Sequence, residues 1–510
     1  MITLRSSTGR ARPPVWLAAL GVGVGALALI PLAYLVVRSV EAGEGAVETL
    51  LRPRTAALVV NSLALAISVG ATCLILGTVA GWTLAHVRLR YRAVWVVLAT
   101  LPLAVPSFLA AYGWLVLFPS VSGFWPSWLV LSMAGTPYVT LAVAAALRSS
   151  SGQLEPVARS LGRSALSAFF SVTWPRIAPS ALAGTLIASL YCLSDFGAVS
   201  MLRFQTLTWG IHSAYAASFD RGLAAVLSVV LVLLAAMVVI VERRLRRRVP
   251  PSLGSAPPPS LTLDSRTLPF VALASIPPLL GVVLPLGGLM SRLLRAETMR
   301  QIDVERFVAA SVSTVTLAAA AAALTVLLAL PVAALAARYS GALVSLVESS
   351  TSVALALPGI VVGLSLVFFT LTVAPAFYQG VAALIFAYAV LFLPRAVGTV
   401  RSGLALVPAR LPEVSHSLGV GPLRSWMRIT VPLALPSLGV AACLVAIAAA
   451  KELPATLLLR PTGTSTLATE LWARTAVAEF GAAAPYAAML VLVAALPAVL
   501  LSRAAGRDAT

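Results

Sequence analysis

Residues 159–180 read RSLGRSALSAFFSVTWPRIAPS, and residues 417–437 read SLGVGPLRSWMRITVPLALPS. Both copies carry Ser-Leu-Gly (Ser160–Gly162, Ser417–Gly419), a proline thirteen residues after the glycine (Pro175, Pro432), and Pro-Ser four residues further on. The copies lie 257 residues apart. Each is too polar and too interrupted to cross a bilayer, yet each stands between apolar segments long enough to do so. A glycine and two prolines held at one spacing, while the polar residues around them differ, mark a repeated structural unit.

The surrounding chain is 60% hydrophobic and 10% charged, with a mean hydropathy of +0.98, values that exclude a soluble globular protein. Twelve apolar runs follow one another near 16–38, 57–87, 93–118, 128–147, 179–202, 221–241, 268–290, 309–337, 343–371, 380–400, 434–459 and 483–502. The first is long for a cleavable signal and no small-residue cleavage site follows it. The expected fold class is therefore all-α: a polytopic membrane protein of about twelve transmembrane helices.

The net charge of +19 is distributed in a way that argues against nucleic acid. Arginines cluster at 5, 10 and 12, at 88, 90 and 92, at 243–248, and at 503 and 507. Counted along the crossings, these clusters share one face with both copies of the repeated stretch. Opposite loops are nearly balanced, with Glu41, Glu44 and Glu48 against Arg52 and Arg54; the loop at 292–308 fits the pattern least. The positive-inside rule then places both termini and both stretches in the cytoplasm, with the lipid bilayer as the immediate partner. Cys73, Cys192 and Cys443 all fall inside predicted spans, and His86, His212 and His416 are scattered. Neither set suggests a disulfide framework or a metal site.

Residues 243–266, basic and then Pro/Ser-rich, read as a cytoplasmic linker between two six-span halves, 1–242 and 267–510. At an offset of 252, LAVPSF (Leu103–Phe108) meets LALPGI (Leu355–Ile360), aligning Pro106 with Pro358. At an offset of 257, Pro137 meets Pro394 and the two quoted stretches coincide. An even number of spans per half makes the repeats parallel. The stretches at about 155–178 and 413–435 read as short helical knobs. Leu161, Leu166 and Phe169, matched by Leu418, Leu423 and Trp426, form an apolar stripe. Gly162 and Gly419 end a first turn, and Pro175 and Pro432 are expected to break the segment before it enters the membrane. No catalytic group lies in either knob; each looks built to fit a socket on another protein.

The spacing resembles the coupling loop of ATP-binding-cassette importer permeases, in which Glu-Ala-Ala, three residues, Gly, nine residues and a closing Ile-X-Leu-Pro recur. Here it reads Glu413-Val414-Ser415, Gly419 and Ile429–Pro432 in the second half, and Pro156-Val157-Ala158, Gly162 and Val172–Pro175 in the first, with Glu155 one position early. The resemblance implies the type I importer permease fold. It assigns ATPase coupling to Glu155, Ala158, Ser160, Gly162, Pro175, Glu413, Ser415, Ser417, Gly419 and Pro432. It also implies partner ATPase subunits, as a homodimer, and a periplasmic solute-binding protein. ATP would be used by the partner; this chain would bind no cofactor directly, hold no metal, carry no catalytic residue and sit in a bacterial inner membrane. Consistently, it has no GxxxxGK[ST] phosphate loop. The run KELPATLLLRP (Lys451–Pro461) and the fused halves resemble ferric-iron permeases, with thiamine, phosphonate and polyamine permeases as alternatives.

Asp195 and Glu452 occupy equivalent positions, thirty-three residues after Gly162 and Gly419, each followed two residues later by a helix breaker, Gly197 or Pro454. At 1.5 Å per residue they lie roughly 24 Å along the fifth span. Ionisable groups at membrane depth face a cavity or a partner. Two readings stay open: the acids, with Lys451 (the sole lysine of the chain), Pro106 and Pro358, line the translocation path or gate; or the carboxylates tether backbone freed at the breaks. A function of another class, an ion-coupled secondary transporter, shares the parallel architecture but has no need of the knobs.

Overall fold

The computed structural model describes residues 13–41, 43, 48, 50–149, 154–217, 220–246, 261–295, 302–408 and 410–507. Runs of Leu, Ala and Val with no regular polar face give long helices. In chain order these are α1 (Val15–Glu41), α2 (Pro53–His86), the short pair α3 (Arg92–Thr100) and α4 (Ser107–Leu117), and α5 (Phe124–Ser149). The first knob begins with α6 (Leu154–Ser160) and runs into α7 (Ala165–Ser194). Then come α8 (Gly197–Met201), α9 (Leu207–Ala216), α10 (Arg221–Arg246) and α11 (Leu268–Leu293). The second series repeats the first: α12 (Val304–Arg338), α13 (Ala342–Ser352), α14 (Gly359–Thr372), α15 (Val381–Leu406), α16 (Arg410–Ser417) and α17 (Trp426–Ala450). It closes with α18 (Pro454–Leu459), α19 (Leu467–Ala476) and α20 (Phe480–Arg507). Among the described residues the one extended pairing is a single bridge between Val87 and Leu261.

Nine helices of the described chain are long and apolar enough to cross a membrane, or eleven if two bent pairs each count as one span. The bent pairs are the runs at 93–118 and 343–371, each expected as one span and found as two helices meeting at a corner. The chain turns by 90° between Leu103 and Ser107, and by 107° between Ala356 and Gly359. Pro106 and Pro358 stand at the corners with ψ of 142° and 146°. Proline disfavours the helical conformation in the residue before it and removes a donor, so the axis turns here. The segment expected at 483–502 lies within α20, whose described apolar stretch is Phe480–Ala495.

A second correction concerns Pro175 and Pro432. Neither breaks its helix; each is preceded by a π turn, Phe169–Thr173 or Trp426–Thr430, that carries the helix on into the span. The same device stands at Leu279–Val283 before Pro285 in α11. In all three the turn ends two residues before the proline. The ring would collide with the carbonyl four residues back, which lies inside the turn, and one extra residue per turn moves that carbonyl aside.

The chain divides into two compact units, one of Met1–Val37, Val304–Glu470 and Met489–Thr510, the other of Arg38–Asp303 and Leu471–Ala488. Each unit therefore includes the first long helix of the opposite sequence half, α1 or α11. In the unit built on the first half, α11 packs on α4, where a β-carbon on Gly113 would overlap the Pro285 backbone. Trp114 Nε1 donates to the Leu280 carbonyl at 3.1 Å, inside the π turn. In the unit built on the second half, Gly21 and Gly25 of α1 lie against Leu335, Val347 and Ser350. There too the Tyr34 hydroxyl bonds Thr372, and Trp16 packs edge-on to Trp426 at 6.1 Å. Small residues permit such close crossings where lipid offers no hydrophobic drive between helices.

Gly113→Leu is expected to prise α11 from α4. Overpacking of this kind costs about 1–3 kcal/mol or more, read as a lower melting temperature of the detergent-solubilised protein; Gly287→Leu, which meets open space, is the control expected to melt as the wild type.

Candidate functional site

Both knobs are built alike. In the first, the Gly162 N–H donates to Arg159 O at 3.0 Å and the Arg163 N–H to Ala158 O at 3.2 Å, closing a Schellman cap on α6. In the second, Val420 N–H donates to Ser415 O at 3.1 Å. The glycines have φ of +87° and +80°, the left-handed conformation that a side chain disfavours. Ala158 and Ser415 are buried inward, whereas Ser160 and Ser417 are exposed and donate to Val157 O and Val414 O, each at 2.8 Å. The Glu413 side chain lies outside the described residues.

Glu155 is half-buried and accepts from Thr173 Oγ1 at 2.7 Å, tying α6 to the π turn. The equivalent Thr430 instead accepts from Arg338 Nη2 at 3.4 Å. The exposed stripe is Val157, Leu161, Leu166 and Phe170 in the first knob, and Val414, Leu418 and Met427 in the second. This differs from the expected stripe at its last position. Phe169 and Trp426 are half-buried, against Trp174 at 6.4 Å and Trp16 at 6.1 Å. The π turn adds a residue to the helix and advances the exposed face by one. The Leu423 side chain lies outside the described residues.

At the other predicted site the two acids, Asp195 buried and Glu452 half-buried, meet the two bends. Asp195 follows the last residue of α7 and its carboxylate accepts from the Ser107 hydroxyl and, at 2.9 Å, from the Ala198 N–H of α8. Its backbone carbonyl accepts from Thr208 Oγ1 at 2.7 Å. In the other unit Glu452 accepts from the Ala455 N–H of α18 at 3.2 Å, and its carbonyl from Thr456 Oγ1 at 2.6 Å. Thr456 in turn bonds the Tyr388 hydroxyl at 2.5 Å. Each acid thus caps a short helix from its N-terminal side, where a negative group is favoured.

Ser107 and Gly359, directly after the corner prolines, are the partners that sequence reasoning missed. They are equivalent at the 252-residue offset. Ser107 reaches Asp195 with a hydroxyl; at Gly359 a β-carbon would come 2.5 Å from Glu452 Oε1 and 3.3 Å from Pro454 Cγ. The longer acid fills the volume that serine fills in the first half. The signal was present as Ser with Asp in one half and Gly with Glu in the other. Within each unit the structure therefore joins Pro106 to Asp195 and Pro358 to Glu452 through these neighbours, and Lys451 lies beside Glu452 at the end of α17. Among the described residues no group of three or more His, Cys, Asp and Glu side chains converges as a metal site.

A parallel repeat of apolar spans, carrying one exposed glycine-capped knob per half, defines a transport permease. The chain belongs to the family of binding-protein-dependent transport system inner membrane components, which it matches twice, over residues 74–250 and 329–505. It is a multi-pass inner-membrane protein of that family. It is 33% identical over 500 residues to the Fe(3+)-transport system permease protein FbpB 2 of Haemophilus influenzae, a match spanning 96% of this chain and 99% of that protein. Shorter similarities run to the putrescine transport system permease protein PotI of Escherichia coli, 28% over 186 residues, 32% of this chain and 66% of that one. The molybdate/tungstate transport system permease protein WtpB of Thermococcus kodakarensis is 26% identical over 220 residues, 41% of this chain and 88% of that one.

Ser107→Gly and Asp195→Glu should each lower thermal stability by about 1–3 kcal/mol, through an unmet carboxylate oxygen or an overfilled site. The double substitution, which recreates the second half's pair, should recover most of the loss; a double-mutant cycle on the purified protein measures the coupling.

Proposed function

We propose that this chain is the translocation subunit of an ATP-driven importer for ferric iron delivered by an extracytoplasmic binding protein. The observation that carries the importer reading is the pair of like knobs, with Gly162 and Gly419 in the same left-handed cap and an apolar stripe turned outward on each. Apolar side chains held out on short rigid helices, in a loop that the arginine pattern puts in the cytoplasm, suit insertion into a protein groove. Two like knobs call for two like sockets, so the partner is a homodimeric ATPase, and both termini of the chain lie on its side. ATP is consumed by that partner, and the permease itself works without a cofactor. The full-length similarity to an Fe(3+)-transport permease supports iron as the cargo.

In this reading Ala158 and Ser415 pack the knobs, Ser160, Ser417, Gly162 and Gly419 shape their tips, and Glu155, Pro175 and Pro432 join them rigidly to the fifth spans. Closure of the ATPase is transmitted through α7 and α17 to switch the permease between two states. Asp195 and Glu452, with Pro106 and Pro358, brace the bends rather than ligate the cargo: both Asp195 oxygens accept, from Ser107 and the Ala198 N–H, and Glu452 Oε1 accepts from the Ala455 N–H.

Gly162→Val with Gly419→Val forces a β-branched residue into a left-handed turn at about 1–2 kcal/mol per site. The variant should insert normally and lose ATP-dependent uptake of radioactive ferric iron. Uptake equal to the wild type would sink the coupling assignment. Iron uptake unchanged in cells lacking this gene, with no second iron system present, would sink iron and leave the importer standing.

A further inference from the structure

The bracing role of the acids leaves open which charges meet the cargo. Arg395 sits near the middle of α15, roughly 16 Å from its nearer end at 1.5 Å per residue, and is exposed. Gly398 and Ser402, one and two turns on along the same face, are exposed as well. Phe392, Leu393, Ala396 and Val397 on the other faces are buried. The lipid-suited surface of this unit is of another kind: on α12 the exposed large apolar side chains are Val304, Val308, Val312, Val315 and Leu327.

A guanidinium at mid-span beside a glycine and a serine faces water, since a lipid-facing position there is costly. The equivalent face of α5 carries Tyr138, Leu141 and Ala145, so the charge belongs to the second half alone. Arg395 is also near enough to Lys451 and Glu452 to act on both electrostatically, and its guanidinium lies 5.7 Å from the Phe392 ring centroid. Lys451 and Glu452 are half-buried and Glu452 Oε1 accepts from the Ala455 N–H, so the most exposed side chain of this group is the guanidinium of Arg395.

We infer that Arg395, supported by Lys451, forms a cationic station that takes the cargo in an anionic, oxygen-rich form: ferric iron accompanied by a phosphate- or carboxylate-type anion rather than as the bare ion. A bare trivalent cation would be repelled by this pair, whereas a guanidinium presents a planar fork of donors to an oxyanion. The inference rests on the iron reading for the metal, and on the α15 face for the anion.

The test uses the full complex of permease, ATPase and binding protein in proteoliposomes. Radioactive ferric iron is supplied with labelled phosphate in one arm and labelled citrate in another, for wild type, Arg395→Gln and Arg395→Lys. Either label should enter with iron in the wild type, and the arm in which it does so identifies the anion. Arg395→Gln should lower both uptakes about tenfold, the loss of one charge-assisted contact, with ATP hydrolysis retained, and Arg395→Lys should restore part. Iron entering without either label, or Arg395→Gln transporting as the wild type, overturns the station; the labels in the wild type decide the question even if Arg395→Gln does not fold. Wild-type vesicles that admit phosphate through Arg395 but no iron would overturn the iron reading and uphold the station. Uptake of neither overturns both.

Discussion

A backbone N–H or C=O freed inside hydrocarbon has no water to bond, and this chain frees many of them by breaking its third and fifth spans at membrane depth. The breaks persist because each is answered by a neighbour. Asp195 and Glu452 take the N–H groups of Ala198 and Ala455, while Thr208 and Thr456 return hydroxyls to the acids' own carbonyls. One element further on, Ser62 accepts the N–H of Leu207 at 2.8 Å and Thr314 that of Leu467 at 2.9 Å. These are equivalent hydroxyls 252 residues apart, serving the first turn of equivalent helices. The hydroxyls and carboxylates of the apolar interior are thus placed where the backbone stops being self-sufficient.

The same accounting explains the prolines. At Pro106 and Pro358 the chain turns a corner and needs a polar partner; at Pro175, Pro432 and Pro285 a π turn absorbs the ring and the helix continues. That continuity suits the coupling role proposed for the knobs. A knob joined to a span by an unbroken helix transmits displacement, which a flexible joint would dissipate. Glu155 on Thr173, and Arg338 on Thr430, add a side-chain strut at the same level in each unit, built from different residues.

The two units share a backbone plan and differ in their charges. Tyr138 in one is matched by Arg395 in the other, and Ser107 with Asp195 by Gly359 with Glu452. Fusion in one chain lets the halves diverge in this way while the knobs keep their common cap. It also accommodates the exchange of first helices, since α1 and α11 each pack in the unit of the opposite half. The chain is held just before α11 begins: the Leu261 N–H donates to His86 O at 2.7 Å and the Leu261 carbonyl accepts from the Arg88 N–H at 2.8 Å.

The sequence by itself determined the membrane class, the parallel repeat, the knobs and their glycines, and the equivalence of Asp195 and Glu452, because each depends on composition or on spacing along one chain. It did not determine that 93–118 and 343–371 bend, that Pro175 and Pro432 leave their helices whole, or that the stripe ends at Phe170 and Met427. Those outcomes turn on whether a displaced carbonyl finds room or a donor, which local sequence does not state. Nor could it pair Ser107 with Asp195, 88 residues apart, or tell that Arg395 is exposed while Phe392, a turn away, is buried. Which face of an almost uniformly apolar helix meets protein, lipid or water is not written in its periodicity. Only the packing of the other helices decides it.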